Sequence, residues 1–302
     1  MQKALLFLLV LLPTFAFGAE FRGRFFLEGD GLLHVINAKN GLGGKVRYRL
    51  DNGSYPSNAW EEVNRIFGVP KNSAEAISPR LIALLDYLQD YFDAGPVRIL
   101  SGYRSPDYNE NLRKKGRLAA KTSLHLEGMA ADIEMDGVSP RKLWHFVRDL
   151  DCCGAGYYHG KGIHLDTGPT RFWDEKSTKV EQDLGARNKL ILLRTYLDIY
   201  RPGETVHLVL ARITDYPIGI RPEMRLLEGE KGEKGAEKAT LFPTKDPCVL
   251  IRDRAEAHAL AWKVPNDFRH DRKLRLRIDF CKKPFPEMPD RIESNPILIT
   301  KR

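Results

Sequence analysis

Near residue 186 the hydrophobic rhythm of the chain changes, and no single layered fold absorbs both patterns. The strongest helix signal of the first part opens at Ser78-Pro79, a capping residue followed by one suited to the first helical position. Leu81, Leu84, Leu85, Leu88, Tyr91 and Phe92 then fall on one face at helical spacing, which predicts core and no ligand role. Further helices are expected over about residues 58–67, with Gly68 as the stop, after Ser105-Pro106 as far as Gly116, and after Ser139-Pro140. Residues 32–36 and 46–50, joined by Asn40-Gly41 and Gly43-Gly44, read as a β-hairpin. Residues 97–100 read as a buried strand, and residues 156–158 and 163–166 as a hairpin around Gly160-Lys161-Gly162. Helices and short strands mixed without regular βαβ units predict an α+β domain over residues 19–185. Beyond it, residues 206–213, 224–227, 248–251, 258–264, 274–280 and 297–300 are strand-like and separated by turn residues. That pattern predicts a smaller, all-β, sandwich-like domain over residues 186–302.

Residues 1–18 stand apart from both. Lys3, an apolar run over 4–12, Pro13 and the small-residue stretch Ala16-Phe17-Gly18-Ala19 have the layout of a secretory signal peptide. The run is shorter than the roughly 20 residues that span a bilayer. The expectation is a periplasmic or secreted protein with no transmembrane segment after signal cleavage. A net charge of +8 and a pI near 9.2 predict a basic surface, which in an exported chain suits an anionic cell envelope. No nucleic-acid motif accompanies the charge, so nucleic acid is not an expected partner. Four cysteines are too few to frame so long a chain. Cys248 and Cys281 lie in candidate strands where they could pair; adjacent Cys152 and Cys153 are expected as buried small residues or as partners of undetermined connectivity.

The residues able to do chemistry lie before residue 186. His125 and Asp132 are seven apart with Gly128 between them, and a turn there would bring imidazole and carboxylate to one point. His164 follows on a strand of its own. Two imidazoles and one carboxylate suffice to hold zinc and leave a fourth position for water. The spacing alone has little specificity; the combination with its flanking motifs has more.

Ser101-Gly102-Tyr103-Arg104-Ser105, then Ser123-x-His125-x2-Gly128-x-Ala130-x-Asp132, then Ile163-His164-Leu165-Asp166, resembles the D-alanyl-D-alanine carboxypeptidase and murein endopeptidase family. These zinc peptidases share their fold with the Hedgehog signalling domain. The resemblance spans about residues 30–175 and leaves the C-terminal part uncovered. It implies an antiparallel sheet flanked by helices, and one Zn2+ held by His125, Asp132 and His164. It implies that Arg104 binds the substrate carboxylate or the oxyanion, a task suited to a permanently charged planar fork. Ser123 would contact substrate or orient His125.

The general base is where this sequence departs from the pattern. Relatives carry a glutamate three residues, or a histidine two residues, before the last zinc histidine; here those positions are Lys161 and Gly162. His159 is the first candidate, because an imidazole titrates near neutral pH. Asp166 is the second, with the alternative of orienting His164, and Glu127 the third. The implied substrate is peptidoglycan, its stem peptides or cross-links cut by a murein endopeptidase or a D,D/L,D-carboxypeptidase. An endopeptidase is preferred for a chain with an extra domain. The missing base motifs leave as alternatives a cell-wall-binding module that keeps zinc and has lost hydrolysis, and, behind it, a structural envelope protein with a vestigial site. The basic residues of the C-terminal part add the expectation that it attaches to the envelope.

Overall fold

The computed structural model describes residues 23–71, 73, 75–115, 120–177, 185–229, 236–268 and 270–301. The expected leader, residues 1–18, lies outside them, as does Gly116. Among the described residues no helix is long and apolar enough to cross a membrane.

In the first part, β1 (Leu32–Asn37), β2 (Gly43–Arg47), β3 (Val97–Ser101), β4 (Ala130–Met135), β5 (Gly154–Tyr157), β6 (Ile163–Asp166) and β7 (Arg171–Asp174) form one sheet in the order β2-β1-β3-β4-β6-β5-β7. Most pairs are antiparallel, but β1 with β3 and β5 with β7 are parallel. The first parallel pair arises because α1 (Ser57–Ile66) and α2 (Pro79–Phe92) carry the chain across between the strands. The second arises because β6 returns to the start of β5, where β7 begins. The sheet is therefore mixed rather than purely antiparallel. α3 (Pro106–Lys114) and α4 (Pro140–Leu150) complete this part. Ser105 and Ser139 cap their helices, accepting from Tyr108 N at 3.2 Å and Lys142 N at 3.3 Å. Ser78 occupies the expected cap position, yet its hydroxyl makes no cap bond; its backbone N–H donates to Gly128 O at 2.9 Å instead.

One face of the sheet is a dry core. Leu33, Val35, Val97, Ile99, Ala131, Ile133, Ile163 and Leu165 meet Val63 and Ile66 of α1, Leu81, Leu85 and Leu88 of α2, and Leu143 and Val147 of α4. Each buried leucine contributes about 1.5–3 kcal/mol, so packing rather than propensity holds α2 in place. Side chains alternate along a strand, which leaves Asp132, His164 and Asp166 on the opposite face.

The second part contains β8 (Leu192–Thr195), β9 (Ile199–Tyr200), β10 (Thr205–Ala211), β11 (Ile218–Ile220), β12 (Glu223–Glu228), β13 (Glu237–Thr240), β14 (Val249–Ile251), α5 (Arg254–His258), β15 (Leu260–Lys263), β16 (Arg272–Lys282), β17 (Arg291–Glu293) and β18 (Ile297–Ile299). A three-stranded sheet, β15-β10-β8, and a larger sheet around β16 share one apolar core that includes Leu208, Trp262, Leu276 and Ile278. The run at 258–264, expected as one strand, begins instead at the end of α5, whose first turn is capped by Asp253 Oδ1 accepting from Glu256 N at 2.9 Å. Cys248 and Cys281 form a disulfide that passes over β11, where a side chain at Gly219 would lie 2.6 Å from Cys248 Sγ. Cys152 and Cys153 are bonded to each other, which of the two expectations for them is the one of paired cysteines.

The two parts meet on the face of the first sheet that the helices leave open. Leu124, Met129 and Ala130 pack there against Leu192, Val209 and Ala211.

Candidate metal centre

β4 and β6 run antiparallel with Asp132 directly opposite His164 and Ala130 opposite Asp166. The register alone thus places a carboxylate and an imidazole side by side. His125 arrives from a short 3-10 turn, Leu124–Glu127, whose cap is Ser123 Oγ, accepting from His125 N at 3.4 Å. Gly128 ends that turn with φ +62, and a side chain there would come within 2.1 Å of Ala76 O. Both constraints demand glycine.

The three side chains converge in a buried site. His125 Nε2 lies 3.3 Å from His164 Nδ1 and 3.3 Å from Asp132 Oδ1, and His164 Nδ1 lies 3.0 Å from the same oxygen. His125 Nδ1 donates to Gly102 O at 2.7 Å, and His164 Nε2 donates to Asp166 Oδ2 at 2.8 Å. Each ring therefore turns its unprotonated nitrogen inward. His125 Nε2, His164 Nδ1 and Asp132 Oδ1 thus face one another, an arrangement that a cation satisfies. Zinc ligands at about 2.0–2.1 Å from the ion would stand roughly 3.3 Å apart in a tetrahedron, close to the spacings found. The donor set fits zinc.

The surroundings fix each candidate ligand. Arg104 Nη2 donates to Asp132 Oδ2 at 2.7 Å and Arg104 Nε to Ser101 Oγ at 3.0 Å, while the Arg104 backbone N–H reaches His125 O at 3.1 Å. Gly102, which supplies the carbonyl under His125, lies so close to Phe67 that a side chain would meet its carbonyl oxygen at 2.4 Å. Asp166 is fully buried, and both its oxygens are engaged. Oδ2 accepts from His164 and from Arg171 Nη2 at 2.6 Å, and Oδ1 accepts from Arg171 Nη1 at 3.0 Å and Gly168 N at 2.8 Å. Burial pushes the His125 pKa down, and neighbouring Asp132 opposes this incompletely. Burial acts the same way on His164, but hydrogen bonds to Asp132 and Asp166 outweigh it and raise the pKa. Burial alone would raise Asp132 and Asp166, yet their imidazole partners hold both below the usual carboxylate range, with Arg171 helping at Asp166.

The structure brings together His125, Asp132, His164, Asp166, Arg104 and Ser123. It does not bring His159 to them. His159 sits on the β5–β6 turn at φ +51, its Nε2 2.6 Å from Asp174 Oδ1 and its ring 4.5 Å from that of Tyr157. Tyr157 and Asp174 face each other in the β5–β7 register on the side of the sheet that carries α4, away from His164. Glu127 turns toward the second part of the chain. Its carboxylate, which burial would raise, is held at about 2 by His258, Arg254 and the backbone N–H of Arg212.

Two residues of the site escaped the sequence reading. Tyr158 follows Tyr157 and so projects to the metal face. Its phenol is pushed up first by burial and then by the charge of Asp132, with Arg104 opposing. Trp173 of β7 lies with its ring 5.0 Å from that of His164 and covers Gly156, where a side chain would strike it at 2.3 Å. β7 itself had not been expected, and without it no pattern pointed to Trp173.

A family model described as peptidoglycan L,D-endopeptidase MepK matches residues 31–173. Peptidoglycan L,D-endopeptidase MepK of Escherichia coli (strain K12) is 31% identical over 166 residues, which cover 54% of this chain and 88% of that protein. The chain belongs to the MepK family. The same identity and coverage are found with MepK of Shigella flexneri. A probable MepK of Haemophilus influenzae is 38% identical over 78 residues, covering 26% of this chain and 42% of that protein. The MepK match contains all three candidate ligands, Arg104, Tyr158 and Trp173, and stops before β8. The broader relation to D-alanyl-D-alanine metallopeptidases expected from the motifs is that of the MepK family.

Proposed function

We propose that this chain is an exported zinc-dependent endopeptidase acting on peptidoglycan, with one ion held by His125 Nε2, His164 Nδ1 and Asp132 Oδ1. The observation that carries the reading is the convergence of three inward-facing acceptors within a MepK-family sheet. The leader-like residues 1–18 support export, and the relatives' activity supports a cross-link between an L- and a D-centre as the bond cut.

Zinc bound there would acidify a water and polarise the scissile carbonyl. Asp166 holds the His164 tautomer and raises its basicity as a ligand. Arg104 takes Oδ2 of Asp132, which leaves Oδ1 for the ion, and its partly open guanidinium can meet an anionic group of the substrate. The Tyr158 phenol, kept protonated by burial and hydrogen-bonded to Asp132, would turn its O–H to the oxyanion once the ion takes Asp132. Trp173 shields His164 from water. His159, committed to Asp174, positions the β5–β6 turn rather than moving the proton.

The decisive experiment loads the chain with one equivalent of zinc and incubates it with purified peptidoglycan beside a chelated control. Soluble products are identified by mass spectrometry. Zinc-dependent loss of L,D-cross-linked dimers is expected. Release of a terminal residue alone would make it a carboxypeptidase. Bound zinc without any product would replace the enzyme by the metal-holding binding module.

A further inference from the structure

The turn that carries His125 is gripped from the second part of the chain at three points. Arg254 Nη2 donates to Leu126 O at 3.0 Å and lies 2.7 Å from Glu127 Oε2. The same guanidinium pairs with Glu75, Nε to Oε1 at 2.7 Å and Nη2 to Oε2 at 2.9 Å. The backbone N–H of Arg212 donates to Glu127 Oε1 at 3.0 Å, and Arg212 Nε donates to Thr122 O at 2.8 Å. His258 Nε2 stands 3.6 Å from Glu127 Oε2. Beneath these contacts the Leu124 side chain, with Met129 and Ala130, is buried against Leu192, Val209 and Ala211.

From the first part the turn has fewer ties: His125 Nδ1 to Gly102 O, Arg104 N to His125 O, and Ser78 N to Gly128 O. Thr122, Leu124, Leu126 and Glu127 bracket the ligand on both sides in sequence, and each is held by residues beyond 186. The MepK match ends before those residues, so this grip belongs to the half of the chain without a counterpart in the match.

We infer that the C-terminal part is a structural component of the metal centre, with Arg254 and Arg212 as positioning residues that clamp the His125 turn. This rests on the metal assignment proposed above. The physical reason is local stability: a four-residue turn ending in a left-handed glycine frays readily, and a metal site loses affinity when its ligand must be ordered on binding. Four charge-assisted contacts and a small apolar seam supply that order in advance. Arg254 hydrogen-bonds the Glu75 carboxylate and the Leu126 carbonyl while its charge lies against Glu127, which a lysine ammonium on a single stem does less well.

The test is a zinc titration of the full chain in competition with a chromophoric chelator, on wild type, R254Q, R254K, R272Q and H125A. R254Q is expected to raise the zinc dissociation constant at least about tenfold, as the loss of outer supports of metal ligands does. R254K should fall between R254Q and wild type. R272Q removes exposed ion pairs to Glu228 and Glu237 far from the turn and should match wild type. At saturating zinc, R254Q should recover most of its kcat on peptidoglycan with an unchanged KM, which a general loss of folding would not allow. Folded R254Q with wild-type zinc affinity overturns the clamp, and if R254Q fails to fold, wild-type affinity in R254K overturns it equally. Zinc retained by H125A would overturn the ligand assignment itself, and the two failures are thereby distinguished.

Discussion

At the scale of single residues, the site depends on which nitrogen of each imidazole is left free. Gly102 O and Asp166 take the outer N–H groups of His125 and His164 and so leave the inner nitrogens facing inward, as the proposed zinc site needs. His125→Ala or His164→Ala should therefore lose zinc and activity together, as measured by metal analysis and dimer digestion. Full zinc occupancy in either would remove that residue from the ligand set. Tyr158→Phe keeps the ring and deletes one donor, so zinc stoichiometry should hold while kcat falls by about 10²–10³, the effect of losing one oxyanion donor. His159→Ala should turn over at close to the wild-type rate, since its imidazole is occupied by Asp174 on the other side of the sheet. A drop beyond tenfold with zinc retained would return it to the chemistry.

At the scale of elements, α2 shows how one helix both builds the core and tethers a loop. Its buried Asp86 accepts from Gly31 N at 2.8 Å and from the Tyr48 hydroxyl at 2.7 Å through one oxygen. Asp30 and Asp90 stand close by, and burial, reinforced by their charges, pushes the Asp86 carboxyl up to about 6. The folded state then holds this proton more tightly than the unfolded chain does. Its contribution to stability is fully present below about pH 4 and is lost as pH rises through 6, roughly 3 kcal/mol across the span. Asp86→Asn cannot titrate, so the gain in urea resistance that wild type shows between pH 7 and pH 5 should largely vanish. Chelator in both samples keeps metal release out of the comparison. An equal gain in both proteins would assign the effect to another group.

At the scale of the whole molecule, the two cores pack against each other across the turn that carries His125. Arg80 pairs with Asp198 at 2.5 Å and Arg24 with Glu204 at 2.5 Å, and the seam of Leu124, Met129 and Ala130 adds apolar contact. Truncation after residue 185 should thus expose that seam and release Glu127. The expected outcome is a fragment that aggregates or binds zinc more weakly than the full chain. A soluble fragment with full zinc affinity and activity would make the C-terminal part a separable module. Attachment to the envelope, expected from its basic residues, is then a second role to be read from sacculus binding of R254Q, in which the metal centre alone is weakened.

What the sequence by itself determined is what local chemistry dictates. The apolar stripe of α2, the Ser-Pro starts of α3 and α4, the left-handed glycine at 128, and the ordered motifs around His125, Asp132 and His164 each act over a few residues. They were readable because helix period, cap preference and glycine's left-handed freedom need no distant partner. The tertiary structure alone decided which residues share a face. Register parity put Trp173 on the face of His164 and Asp174 on the other, where it holds His159, and a one-residue shift reverses such an outcome. Glu127, a candidate base by position, became an anchor because Arg254 and Arg212, more than eighty residues away in sequence, reach it through the fold. Contacts of that separation follow from how two cores pack against each other, and no short pattern in the chain encodes them.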